Sequence, residues 1–366
     1  MHLLDTSCLT YLDLKMTLSA LLQILLLTPF IGSTKTCFPD CHCEVESFGL
    51  FDSFSLTKVD CSGVGPHIVP VSIPLDTSYL DLSSNRLSII NETMLSGRGY
   101  TTLVSLDLSY NQITRISSTT FSKLRYLETL DMSHNSLEAL PDESFCSSAL
   151  GEVDFSNNKL ADIKMEVFTS KGQRKPMNLD LSSNLISKVL QSDERNLPNI
   201  QSLTLSENRL HSVPNLQGIP LRYLNLDTNP IAKIEKQDFV GLKGLIHLSL
   251  SNLNLLTEVS PYCFKELPTL QVLDLSNNPN LKFLNAEVFV GLNSLQELNL
   301  SSTGVMSLPK DMLKHLPSIK SIALGKNIHC LKSIKAGQFH RQGSLPKKEI
   351  LHCRDDRGSI SAPNLL

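Results

Sequence analysis

The sequence predicts a curved solenoid, because one short pattern of leucines recurs along most of the chain. The pattern is L-x-x-L-x-L-x-x-N-x-L, and Tyr79–Leu87 is a clear example of it. It returns at Leu106–Asn111 and at Leu130–Asn135. Each repeat packs only on its neighbours, so the 366 residues need no single large core. The predicted fold is an α/β repeat, a leucine-rich-repeat solenoid with a disulfide-bonded cap at each end.

The ninth position of the pattern, which is usually asparagine, marks about eleven repeats within residues 73–329. Successive ninth positions are 21 to 26 residues apart. An asparagine can bond the backbone where the chain turns off a strand. Two repeats have other residues there, and we expect local irregularity in both. The ninth positions are Asn85, Asn111, Asn135, Asn158, Asn184, Asn208, Asn229, Leu253, Asn278, Thr303 and Asn327.

Leucines at alternate positions predict one short strand per repeat, with the leucines pointing inwards. Stacked repeats would then form a parallel sheet on the concave face and an irregular or 3-10 helical convex side. A phenylalanine recurs once per repeat on the returning side, and such a stripe indicates core packing. Its members are Phe121, Phe145, Phe168, Phe239, Phe264 and Phe289.

The N-terminal region is typical of a signal peptide. Leu18–Phe30 is apolar, Lys15 precedes it, and Gly32 and Ser33 follow. The apolar run is too short to span a bilayer, and no later run approaches 18 residues. We therefore predict cleavage after residues 1–33, no membrane insertion, and secretion into the extracellular space or matrix. Met16 is an alternative start to Met1.

Cysteines cluster in two segments that we interpret as caps, residues 34–72 and 330–366. The first holds Cys37, Cys41, Cys43 and Cys61, and the second holds Cys330 and Cys353. In a secreted chain such cysteines predict disulfides that close the apolar ends of the solenoid. Zinc is disfavoured because no paired C-x-x-C knuckles are present. The repeats also contain Cys146 and Cys263, which lie too far apart to pair and are expected to be buried free thiols.

An aspartate stands between the two central leucines in five successive repeats, where it faces solvent on the predicted concave sheet. With strands about 4.8 Å apart, five such charges would form an acidic stripe that attracts a basic partner. The alternative is that these aspartates are template residues that bond neighbouring polar groups. Both interpretations remain open. The five are Asp81, Asp107, Asp131, Asp154 and Asp180, and the row then continues with Thr204, Asn225, Ser249, Asp274, Asn299 and Ala323.

Larger side chains add candidate contact residues on the same face, since exposed aromatic residues are good interface anchors. In the N-terminal half they are Tyr79, Tyr110, Glu128, His134 and Glu152, and in the C-terminal half Tyr223, His247 and Glu297. Two N-glycosylation sequons begin at Asn91 and Asn299. A glycan on Asn299 would obstruct its part of the concave face, which favours partner binding in the N-terminal half.

Composition gives weaker indications. Residues 326–366 contain eight Lys or Arg against three Asp or Glu, so an acidic body carries a basic tail that could contact sulfated glycosaminoglycan or a membrane surface. No glycine-rich phosphate loop, G-x-S-x-G or H-E-x-x-H motif is present. We therefore predict no enzyme activity, no catalytic residue, no cofactor, no metal site and no nucleic-acid partner.

The cap and several repeats resemble the small leucine-rich proteoglycan family. The gap of 17 residues before Cys61 departs from the shorter last gap of most members, which indicates an atypical class. The segments that carry the resemblance are Cys37–Glu46, Phe48–Leu56, Asp60–Gly63, Gly65–Ile68, Leu221–Leu224 and Leu270–Ser276.

The resemblance implies disulfides Cys37–Cys61 and Cys41–Cys43, or a close variant, and Cys330–Cys353. It also implies a secreted modulator, mainly an antagonist, of growth-factor signalling. The implied partners are bone morphogenetic proteins, TGF-β ligands, chordin and Frizzled receptors, with inhibition of bone morphogenetic protein and Wnt pathways in development. The alternative is a structural matrix protein that binds collagen fibrils.

Overall fold

The structure is a computed structural model that describes residues 38, 40–48, 54–65, 73–170, 173, 175–191, 197–325, 328–334, 349–355 and 358–360. The chain divides into two units, Met1–Cys37 and Phe38–Leu366, and all described residues belong to the second. The predicted signal peptide, Cys37, Asn327 and most of the basic tail lie outside the described residues. Within those ranges, no helix has the length and apolar character needed to cross a bilayer.

In the described part of the second unit, one sheet of 16 strands begins at His42 and ends at Ile360. Pairing is parallel from β2 to β19 and antiparallel at both ends, where β1 joins β2 and β20–β22 follow β19. The strands of this sheet are β1 His42–Phe48, β2 Phe54–Asp60, β3 Thr77–Asp81, β5 Ser105–Asp107, β7 Thr129–Asp131, β8 Glu152–Asp154, β10 Met177–Asp180, β12 Ile200–Thr204, β13 Tyr223–Asn225, β15 His247–Ser249, β17 Val272–Asp274, β18 Glu297–Ser301, β19 Ser321–Gly325, β20 Ile328–Ile334, β21 Glu349–Asp355 and β22 Gly358–Ile360.

The convex side consists of turns, short strand pairs and 3-10 helices, as the sequence predicted. The strand pairs are β4 Ile89–Ile90 with β6 Arg115–Ile116, β9 Asp162–Lys164 with β11 Lys188–Leu190, and β14 Lys233–Ile234 with β16 Glu258–Val259. Among the described residues the 3-10 helices are Arg98–Thr102, Met165–Phe168, Ala286–Phe289 and Met312–His315.

The core lies between the sheet and the convex side, and it consists mainly of the pattern leucines and the phenylalanine stripe. All six predicted phenylalanines are buried. Phe145 stacks between Phe121 and Phe168, with ring centroids 5.4 and 6.0 Å away. Phe155, which takes a leucine position in its repeat, packs against the same group. The prediction that the stripe is core is confirmed.

A ladder of buried asparagines holds the corners where the chain leaves each strand. Asn158 is representative: its Nδ2 donates to the carbonyls of Met132, Phe155 and Ser156 at 2.9–3.2 Å. Its Oδ1 accepts from the backbone N–H of Leu137 in the preceding repeat, at 3.0 Å. Each described ladder asparagine thus bonds peptide groups of two repeats, and it is the printed partner of one buried N–H in the preceding repeat.

The expected irregularity is present in the eighth repeat, where an extra turn after Leu253 exposes Leu255 and buries Leu256, one position later than in the first repeat. The corner before each of Leu253 and Thr303 is nevertheless regular. The preceding residues, Asn252 and Ser302, keep the left-handed φ of the other corners, at 55° and 56°. Leu253 still donates its N–H to Asn278 Oδ1 at 2.7 Å. These two repeats lack the hydrogen bonds that an asparagine amide would make. The Thr303 hydroxyl replaces one of them by donating to the Leu300 carbonyl. The left-handed corner, rather than the asparagine, therefore maintains the path of the chain.

The N-terminal cap corrects both of the disulfide pairs that were named for it. Cys41 pairs with Cys61, so the pairs Cys37–Cys61 and Cys41–Cys43 are wrong. The reason is strand register: His42 lies opposite Asp60 in the β1–β2 ladder, which places Cys41 opposite Cys61. Cys43 is also disulfide-bonded. At the other end, the predicted Cys330–Cys353 disulfide is confirmed and joins opposed residues of β20 and β21.

The two cysteines within the repeats are free thiols. Cys263 is buried as expected, and burial raises the pKa of its thiol far above the usual range. Cys146 is only half-buried, which differs from the expectation. Because its pKa is raised so far, the Cys263 thiol stays protonated and unreactive at neutral pH.

Candidate ligand-binding surface

The five predicted aspartates lie side by side across the concave sheet. Parallel register aligns Asp81 with Asp107, and the alignment continues strand by strand to Asp180. Each side chain is partly exposed. None of the five has an ion pair with any lysine or arginine in the described ranges. Five carboxylates on neighbouring strands therefore present their charge to solvent.

These aspartates also have a structural role, because each one caps the end of its own strand. In every case Oδ1 accepts a hydrogen bond from the N–H two residues further along, at 2.7–2.8 Å. The donors are Ser83, Ser109, Ser133, Ser156 and Ser182. The two interpretations of the sequence are therefore compatible: one oxygen of each carboxylate serves the repeat, while the negative charge remains on the surface.

The acidic row is one residue longer than the sequence indicated, because Asp60 of the cap extends it. Asp60 lies opposite Asp81 in the β2–β3 pairing. It caps the N–H of Ser62 at 2.9 Å, and this bond lowers the pKa of its carboxyl. The segment Asp60–Ser62 has the same Asp-x-Ser spacing as the repeats. This spacing was the signal in the sequence that identifies Asp60 as a row member.

Other predicted contact residues fall on three different parts of this face. Tyr79 and Glu152 lie on strands, and the Lys58 ammonium sits 5.6 Å from the Tyr79 ring centroid. Glu128 lies just before β7 and pairs with Lys175 at 3.3 Å. This ion pair is exposed, so it contributes little stability and can open to a partner.

Tyr110 and His134 are not on the sheet itself, which corrects their placement. Both occupy the left-handed corner after their strands, with φ of 53° and 52°. Their rings stack with centroids 4.1 Å apart, and Tyr110 is 58% exposed. The stacked pair therefore lies at the edge of the concave face, beside the acidic row, and forms its rim.

The C-terminal half of the concave face differs, because two of its aspartates, Asp227 and Asp274, accept hydrogen bonds from the next repeat. Ser249 takes the row position in its repeat and has no carboxylate with which to cap Ser251. Asp227 of the preceding repeat accepts that N–H at 2.6 Å, and it also accepts the Ser249 hydroxyl at 2.7 Å. Burial raises the pKa of Asp227. Asp274 in turn accepts the Asn299 amide at 3.0 Å.

The same half holds a second stacked pair, Tyr223 and His247, with centroids 4.8 Å apart. Burial lowers the pKa of His247, although the carboxylates of Asp227, Asp274 and Glu297 oppose that effect. Burial thus disfavours the charged form of His247, and the carboxylates of Asp227 and Asp274 are engaged by neighbouring repeats. Most of the carboxylates on the described concave face that have no ion pair therefore lie in the N-terminal half, although Glu297 is exposed in the C-terminal half.

The two sequons differ in their surroundings, and we predict that only Asn91 carries a glycan. Asn91 lies beyond the strand in an exposed turn, where its Oδ1 accepts from Thr93 and its Nδ2 has no described partner. Asn299 lies within β18, and its Nδ2 donates to Asp274. For protein secreted from animal cells, we expect peptide mapping to find a glycan at Asn91 and an unmodified Asn299. A glycan on Asn299 would show that transfer precedes formation of β18.

No group of three or more His, Cys, Asp or Glu in the described ranges is placed to hold a metal ion. The concave face does contain a shallow depression of about 350 Å³ over β7–β12, lined by residues such as Glu152, Asp154 and Asp180. A broad, open and acidic sheet face suits a protein surface better than a small molecule.

Comparison with known proteins identifies the class first. The leucine-rich-repeat family model matches residues 101–160 and 252–305. A chain in the crystal structure of a TLR13–ssRNA13 complex is similar at a TM-score of 0.55 and 26% identity, over 69% of this chain and 40% of that chain. The protein is therefore a leucine-rich-repeat protein, with the predicted solenoid fold.

Relatives that match over most of their length identify the family within the leucine-rich-repeat proteins. The chain is 71% identical to Tsukushi of Gallus gallus, over 91% of this chain and 91% of that protein. It is 53% identical to Tsukushi of Homo sapiens, over 94% of this chain and 99% of that protein. The chain belongs to the Tsukushi family, which agrees with the resemblance to small leucine-rich proteoglycans.

Proposed function

We propose that this protein is a secreted antagonist of growth-factor signalling that acts by stoichiometric binding. Its partners are bone morphogenetic protein and TGF-β ligands, chordin and Frizzled receptors, and its effect is to inhibit bone morphogenetic protein and Wnt pathways. The N-terminal half of the concave face binds a basic surface of the partner and masks it. No chemical step is involved, and the protein acts outside the cell.

The observation that carries this proposal is the row of carboxylates from Asp60 to Asp180, none of which forms an ion pair with a described lysine or arginine. Like charges held on adjacent strands repel each other, so a cationic partner relieves repulsion as well as gaining attraction. Complementary charge of this kind steers association and selects partners. Membership of the Tsukushi family supports the assignment to extracellular signalling.

A ligand panel tests the proposal directly. The mature secreted protein is immobilised and exposed to a bone morphogenetic protein, a Frizzled ectodomain and fibrillar collagen at several salt concentrations. We expect binding of the first two that weakens as salt rises. Salt-resistant binding of collagen alone would instead establish the structural matrix protein.

The acidic row itself is tested by Asp107→Asn, Asp131→Asn and Asp154→Asn in one variant. Asparagine retains the cap, because Asn225 and Asn299 already cap Asp227 and Ser301 in this chain at 2.8 and 3.1 Å. The variant should therefore fold normally but lose three charges. We expect affinity for the bound growth factor to fall roughly tenfold at low salt, with a flatter salt dependence.

A matched control removes three carboxylates outside the concave face: Glu138→Gln, Asp142→Asn and Asp162→Asn. It changes the net charge equally, so it should change affinity by less than about twofold at physiological salt. If both variants bind as the parent does, the aspartates serve only the repeat template. If both lose affinity equally, net charge rather than the row is responsible.

A further inference from the structure

A second surface lies on the flank where the chain descends from the concave sheet to the convex side. One solvent-facing position recurs there in ten successive repeats, immediately before a residue that is buried or half-buried. In the β14–β16 pair this position holds Lys233 and Glu258, whose charged ends are 3.4 Å apart. Through the repeats the position is occupied by Ile89, Arg115, Ala139, Asp162, Lys188, Ser212, Lys233, Glu258, Phe283 and Ser307.

Phe283 is therefore exceptional, since it is the one aromatic side chain in this series. It is 85% exposed, and Met306 beside it in the next repeat is 87% exposed. Between them lies a groove of about 450 Å³, with the buried Leu284 and Leu308 among its lining residues. A large apolar side chain exposed at a position that needs no burial has no role in the core, and such patches mark interaction sites.

The charge around this groove is the opposite of that on the concave face. Lys282 lines the groove, and Lys310 follows its last lining residue, Pro309. Both lysines are exposed, and neither has an ion pair within the described ranges. The nearest described acid in sequence, Asp311, is engaged by Lys314 at 2.7 Å. The groove is thus apolar with two uncompensated cations at its border.

We propose that the Phe283–Met306 groove is a docking site for an acidic protein segment that carries a large apolar anchor residue. The anchor would lie between the two exposed side chains, and its flanking carboxylates would meet Lys282 and Lys310. A second copy of this chain does not fit as well, because one phenylalanine offers roughly 150–250 Å² and a standard interface needs about 800 Å² per partner. The site is separate from the acidic row, so the two surfaces select partners of opposite charge.

Methyl NMR of the mature protein tests this site. The probes are short synthetic peptides with a central Leu-Phe pair flanked by glutamates, lysines or serines. The Met306 methyl resonance is assigned by its loss in Met306→Leu. We expect the glutamate-flanked peptide to shift this resonance saturably, with a Kd below about 1 mM. The lysine-flanked peptide should bind at least tenfold more weakly.

Two variants separate the parts of the proposal. Phe283→Ser should fold normally, since Ser212 and Ser307 occupy the same position, and it should weaken peptide binding at least tenfold. Lys282→Glu with Lys310→Glu should reverse the preference towards the lysine-flanked peptide. Ile89→Ser, at the equivalent position of the first repeat, should have no effect on binding.

Several outcomes would overturn the proposal. It fails if no peptide shifts the Met306 methyl resonance, or if the three peptides bind equally. A shift of that resonance by vesicles containing phosphatidylserine, without a shift by the peptides, would assign the groove to a membrane surface. A concentration-dependent dimer that disappears in Phe283→Ser would assign it to a second copy. None of these outcomes affects the test of the acidic row.

Discussion

Replacing Asn158 by alanine is expected to lower the free energy of unfolding by about 3–5 kcal/mol. The asparagine serves four buried peptide groups: the carbonyls of Met132, Phe155 and Ser156, and the N–H of Leu137. Alanine leaves the Leu137 N–H without a partner, which costs about 1–3 kcal/mol before the structure relaxes. The three carbonyls keep the Asn135 amide, the Asn184 amide and the His134 N–H as donors, so each loses one of two hydrogen bonds, at about 0.5–1 kcal/mol each. Water entering the corner would recover part of this loss.

Urea unfolding followed by circular dichroism measures the effect, with Asn254→Ala as the control. Asn254 is exposed and follows directly after the ladder position of its repeat. The control should change the transition midpoint very little. A repeat array can unfold in parts, so the midpoint is compared alongside the slope. Equal midpoints for the two variants would show that the corner backbone alone holds the repeat.

Replacing Phe145 by alanine should also cost about 3–5 kcal/mol, because it opens a cavity in the centre of the aromatic core. Phe145 is fully buried and contacts three other phenylalanine rings, at centroid distances of 5.4, 5.8 and 6.0 Å. The repeats on either side should also lose stability, since each repeat is stabilised chiefly by its interfaces with its neighbours.

The matched control for Phe145 is Tyr126→Ala, which truncates an exposed aromatic residue of an adjoining repeat. Thermal unfolding of both variants should show a clear drop in Tm for Phe145→Ala and almost none for Tyr126→Ala. Hydrogen exchange would show which repeats are destabilised, and we expect the backbone amides of β7, β8 and β10 to exchange faster. Exchange that accelerates uniformly along the chain would argue against nearest-neighbour stabilisation.

The repeat pattern predicted the solenoid well because each of its residues has a local cause. Leucines at alternate positions require a strand with one buried face, and the asparagine requires a corner with unpaired peptide groups. The phenylalanine stripe fills the returning side. None of these inferences depends on knowing how distant segments meet, since every repeat contacts the next one along the chain.

The failures in prediction came from residues whose role depends on pairing register or corner geometry. The Cys41–Cys61 disulfide follows from the register of β1 against β2, which cysteine spacing does not reveal. Tyr110 and His134 fit the concave pattern in sequence, yet the left-handed corner turns them to the rim. Leu253 breaks the asparagine ladder, but the neighbouring Asn278 still caps its N–H.

The sequence by itself determined the architecture, the alternation of buried and exposed positions, and the acidic residue in each of the first five repeats. These are periodic properties, and periodicity is visible in one dimension. Only the tertiary structure decided which charges are available to a partner. It brought Asp60 into the row, engaged Asp227 with the next repeat, and exposed Phe283 beside Met306. The physical reason is that the exposure and pairing of these side chains depend on contacts between repeats, and those contacts exist only when the repeats are stacked.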